Sequence, residues 1–114
     1  MAIEQPKGAV FIKATIGVID GKWKLLILWH LRHGKKRFGE LNRLIPEISE
    51  KVLTQQLRSL EKNDVIRRDV QPGNPPTVEY SFTEHGCSII PILKPLCDWG
   101  EAHLANLEQM SPDS

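Results

Sequence analysis

Residues 48–61 read I-S-E-K-V-L-T-Q-Q-L-R-S-L-E, and the fold turns on how this stretch is understood. Ser49 is a strong helix N-cap, because its hydroxyl can accept a backbone N–H that the first turn leaves orphaned. Pro46 keeps the residues before it extended. At about 100° per residue, Leu53, Leu57 and Leu60 fall within roughly 60° of one another, with Val52 at the margin. Lys51, Thr54, Gln55 and Arg58 collect on the opposite side, and Glu50 and Glu61 lie toward its edges. Taken alone, such a face is ordinary solvated helix surface. Its neighbours give it another meaning.

Upstream, residues 38–45 predict a short helix with Leu41, Leu44 and Ile45 inward, joined to the first stretch by a turn through Pro46 and Glu47. A helix, a tight turn and a second helix with a polar, basic outer face make a helix-turn-helix over residues 37–61. Lys35, Lys36 and Arg37 form a basic turn before it. A helix over residues 22–33, capped by Asp20 and stopped by Gly34, is apolar nearly all round and belongs at the centre of the fold. Residues 1–6 read as a frayed start. Residues 8–19 predict a helix with so little polar surface that it must pack against another element or subunit.

Downstream, Asn63 and Asp64 end the helix. Strands are expected at residues 65–70 and 77–82, on either side of Q-P-G-N-P-P, which can continue neither. This hairpin is a wing. Arg67 and Arg68 must point to opposite faces of its first strand, so only one faces a ligand; Asn74 stands at the tip. Thr83 caps a last helical region reaching about residue 107, which Pro91 and Pro95 should kink or split. Its apolar surplus suggests dimerisation with the N-terminal helix, the alternative being Trp99 buried in a monomer core.

The expected fold is therefore α+β and mainly helical. It is a single winged helix-turn-helix domain over residues 1–114, with a two-stranded wing (65–82) and dimerisation segments at 1–19 and 83–107. The composition suits this: 40% apolar and 25% charged residues describe an ordinary globular chain. The formal charge of +1 hides an asymmetry. Residues 21–70 carry 12 Lys/Arg against 6 Asp/Glu, a net of +6, and the rest carry 3 against 8, a net of −5. A basic middle suits a polyanion such as DNA. Two cysteines ten residues apart, with no signal-peptide pattern, point to a reducing, cytoplasmic setting. The apolar runs are too short for a membrane span.

Several motifs in order carry a resemblance to a known family. They are I-D-G-K-W-K-L-L-I-L at 19–28, R-F-G-E-L at 37–41, the stretch at 48–61, and P-P-T-V-E-Y-S-F-T-E-H-G at 75–86, followed by P-I-L and W-G. From about residue 16 to 100 the chain resembles the HxlR family of winged-helix transcription regulators, relatives of the MarR group. The resemblance implies a homodimer that binds operator DNA as a repressor or activator. Many members carry a Cys-Pro pair near the N-terminus, used by some to sense oxidants; here Val10-Phe11 stands in its place.

On this reading Thr54, Gln55 and Arg58 read base edges, since Arg suits guanine and Gln suits adenine. Lys35, Lys36, Arg37, Ser49, Lys51, Arg67, Arg68 and Asn74 are the candidate DNA-backbone contacts. Cys87 and Cys97 are candidate thiol sensors, against the commoner fate of a small buried helix residue. A hydrophobic small-molecule effector could lodge between the first two helices and the last. No metal site or cofactor is expected, for the four histidines are scattered and the cysteines lack zinc-site spacing. Neither a phosphate loop nor a nucleophile elbow is present, so the chain is not read as an enzyme. The rival reading is a winged helix turned protein-interaction module, its basic face binding an acidic partner.

Overall fold

The computed structural model describes residues 7–110, so the frayed start expected at residues 1–6 lies outside it. The elements are α1 (Lys7–Ile19), α2 (Lys24–Leu31), β1 (Lys36–Arg37), α3 (Phe38–Leu44), α4 (Glu50–Lys62), β2 (Ile66–Gln71), β3 (Thr77–Phe82) and α5 (Ile90–Met110). A 3-10 turn, Gly86–Ile89, leads into α5.

Helix α2 lies at the centre, as its sequence demands: Ile27, Leu28 and Leu31 are buried against Leu41 of α3, Leu53, Leu57 and Leu60 of α4, and Leu93 of α5. Its start differs from expectation. Gly21 takes a left-handed φ of 88°, so the helix begins only after it, with Trp23 at the N-cap and no side-chain cap bond. Asp20 is thus too early to cap, and its Oδ1 instead accepts from Lys24 Nζ at 2.9 Å.

The α3–α4 turn is pinned from inside and outside. Ile45 and Ile48 are buried, and Asn42 Nδ2 donates to the Ile48 carbonyl at 3.1 Å. Ser49 caps α4 by accepting from the Val52 amide at 3.1 Å. At the other end Asp64, at φ 59°, turns the chain into β2.

The sheet is antiparallel in the order β1-β3-β2, with three strands where the sequence predicted a two-stranded wing. The β2–β3 hairpin falls where expected, and Lys36–Arg37, read as a turn, adds the third strand. Two residues are too few to display an alternation. Thr83 locks the hairpin to the 3-10 turn, its hydroxyl donating to the Asp64 carbonyl (2.6 Å) and accepting from the Gly86 amide (2.8 Å).

Of the kink or split expected at Pro91 and Pro95, no split occurs within α5, which runs unbroken through Pro95, while the change from 3-10 turn to α-helix falls at Ile90, beside Pro91. Pro91 falls in its first turn, where a missing N–H costs nothing. Helices α1 and α5 leave much apolar surface uncovered. No residue of α1 is buried, and Val10, Phe11, Ile12 and Ile16 are at least half exposed. In α5 only Leu93 is buried; Trp99 is 68% exposed, stacked on His103, so it lies outside this chain's core.

Candidate nucleic-acid interface

Helix α4 separates its faces cleanly. Leu53, Leu57 and Leu60 are buried, while Lys51, Gln55 and Arg58 stand exposed on the outside. Among the described residues neither Lys51 nor Arg58 forms an ion pair with a carboxylate. Thr54 donates its hydroxyl to the Glu50 carbonyl at 2.8 Å, which leaves its methyl and its acceptor lone pairs for a ligand.

Between this face and the sheet runs a cleft of about 580 Å³ lined by Phe38, Thr54, Arg58, Glu61, Arg68, Val78 and Tyr80. It continues along α4 past Lys51 and Gln55. Strand alternation decides which wing arginine enters it. Arg68 pairs in register with the buried Tyr80 and shares its face. Arg67 points the other way, tied to Asp69 by two bonds of 3.0 and 2.9 Å, and that carboxylate raises its pKa.

The other candidates from the sequence occupy varied surroundings. Lys35 is exposed but ion-paired with Glu79 at 3.1 Å, and Arg37 opens α3, its amide donating to Glu40 Oε1 at 2.9 Å. Lys36 sits in β1 opposite Tyr80, and Asn74 is exposed in the β2–β3 loop. Ser49 is exposed, though its oxygen already serves as the cap. Phe38, Glu61, Val78 and Tyr80 also line the cleft, and none of them stands out as a ligand contact from sequence. The one signal was Val78 and Tyr80 alternating along a strand.

Cys87, in the 3-10 turn, and Cys97, in α5, are free thiols, both exposed rather than buried. His30 has its pKa lowered by burial, then by Arg32 and Lys36. Among the described residues no cluster of His, Cys, Asp and Glu could hold a metal, and no helix is long and apolar enough to cross a membrane. An apolar groove of about 290 Å³ between α2 and α5 is lined by Leu25, Leu26, Trp29, Leu93, Leu96 and Cys97.

A wing, a tight helix-turn-helix and an uncovered basic helix face together define a winged helix-turn-helix DNA-binding protein. The model of the HxlR-like helix-turn-helix family matches residues 18–108, and the chain belongs to that family of transcription regulators. It is 52% identical over 102 residues to the uncharacterized HTH-type transcriptional regulator YtcD of Bacillus subtilis (strain 168), covering 90% of this chain and 81% of YtcD. The crystal structure of ytcD superposes with a TM-score of 0.78 at 53% identity, over 82% of this chain and 96% of that one. The redox regulator HypR in its reduced form gives a TM-score of 0.81 at 43% identity, over 86% and 97%.

Proposed function

We propose that two copies of the chain bind a pseudo-palindromic operator and regulate transcription from it. In this assembly Thr54, Gln55 and Arg58 meet base edges in the major groove. Lys35, Lys36, Arg37, Ser49, Lys51 and Arg68 meet phosphates and set register and salt dependence, with Asn74 reaching from the wing tip. Arg67, neutralised by Asp69, contributes least.

The observation that carries this reading is the outer face of α4: two cations without carboxylate partners and two hydrogen-bonding side chains, beside a third cation from the wing. The uncovered apolar surfaces of α1 and α5 support the dimer, and the groove between α2 and α5 suits a hydrophobic effector. A two-fold dimer of helix-turn-helix units sets its half-sites about one helical turn apart.

The test selects duplexes from a random pool with the native chain and compares Arg58→Ala on selected and random DNA. Arg58→Ala costs about 1–3 kcal/mol on the selected site and relaxes preference at one or two base pairs. Equal weakening on both duplexes would reduce Arg58 to a phosphate contact. Native binding that is weak and blind to sequence at every salt concentration would favour the protein-interaction reading instead.

A further inference from the structure

We propose that Tyr80 is a positioning residue for DNA binding: its phenol holds the Arg68 guanidinium toward α4, so that Arg58 and Arg68 grip one phosphate between helix and wing. The inference rests on the DNA-binding reading above and deepens it.

The geometry starts from the sheet. Tyr80 lies on β3, the central strand, paired in register with Lys36 of β1 on one side and Arg68 of β2 on the other. It is only 6% exposed, so both backbone and ring are fixed, while β2 is an outer strand of the sheet whose Arg68 is exposed. Residues facing each other across strands share a face, and here that face looks onto α4: Tyr80, Arg68 and Arg58 line one cleft.

The chemistry favours a neutral holder. Burial raises the Tyr80 pKa, and Arg68, its cross-strand partner in the same cleft, acts against that rise. A protonated phenol accepts from Arg68 without cancelling its charge. Arg67, one residue away, shows the contrast, for it is held by the Asp69 carboxylate and neutralised. A free arginine loses rotamer entropy when a ligand fixes it, and holding it in advance removes part of that cost. One carboxylate, Glu61, lines the cleft against two guanidiniums, so the site stays positive.

The experiment is a double-mutant cycle with Tyr80→Phe and Arg68→Ala, read as affinity and salt slope on duplexes selected by the native chain and on random duplex. Tyr80→Phe keeps the ring in the core and weakens both duplexes by about five-fold, with the salt slope unchanged because every cation remains. Arg68→Ala weakens binding further and flattens the slope by about one unit. In its background Tyr80→Phe has no additional effect. Arg68→Lys, which keeps the charge but loses the planar fork, reproduces Tyr80→Phe and guards against a folding defect in that variant. A Tyr80→Phe protein that binds like the native one, or whose loss persists undiminished on Arg68→Ala, overturns the positioning role and leaves the regulator reading intact. Failure of the native chain to enrich any sequence sinks the operator reading, while the cycle on random duplex still decides the phosphate grip.

Discussion

At Gly86 the backbone of the 3-10 turn runs so close to the start of the wing that a Cβ there would sit 1.8 Å from the Val65 carbonyl oxygen. The obstacle is backbone, which cannot swing aside as a side chain can. The close approach, not an unusual torsion, is what requires glycine. Gly86→Ala therefore costs about 1–3 kcal/mol or more, because the turn must move off the wing and strain the Thr83 bonds that lock it. Urea denaturation measures this, and an unchanged midpoint would mean that the turn and the wing can separate at no cost. Other residues show how much was legible at this scale. The Ser49 cap was plain because capping is local. Asp20 misled because a left-handed Gly21 displaced the helix start, and nothing in composition gives a glycine's torsion.

Helix α4 carries the clearest element-scale argument, since one helix serves both core and surface. Leu57 is 1% exposed, so Leu57→Ala leaves a cavity and costs about 2–5 kcal/mol of stability. Gln55→Ala, on the exposed side, shifts stability by no more than about 0.5 kcal/mol, yet lowers affinity for a selected duplex. Thermal unfolding and a binding isotherm on the same two proteins test the separation; a Gln55→Ala protein that melts early would place that side chain in the fold. The amphipathic period made α4 readable before any coordinates. Strand β1 was not readable, for pairing with β3 alone defines it. The unbroken course of α5 was equally hidden, since the effect of Pro91 depends on where the helix starts, and Pro95 removes one helix bond without ending the helix.

For the whole molecule, α1 and α5 expose many large apolar side chains to water. Phe11, Ile12, Trp99, Leu104 and Met110 are each more than 60% exposed. The dimer reading covers them with a second copy. Trp99→Glu then yields a folded monomer, because Trp99 supports none of its own chain's core. Sedimentation should show the halved mass, and footprinting should show the loss of paired half-site protection. A variant that stays dimeric, or native protein that sediments as a monomer at working concentration, would sink that assembly. The charge asymmetry belongs to this scale too: the basic middle holds α4 and the first wing strand, and the acidic remainder includes all of α5.

The sequence alone determined the helix-turn-helix, the β2–β3 hairpin and the identity of the outward α4 residues. Period, caps and turn residues act over a few positions and are written in the chain. Only the tertiary structure decided that Arg68 and not Arg67 enters the cleft, that Tyr80 lines it as well, and that Cys87, Cys97 and Trp99 are exposed. Each of these depends on which surfaces distant segments cover, and burial is a property of the packed chain that no local pattern encodes.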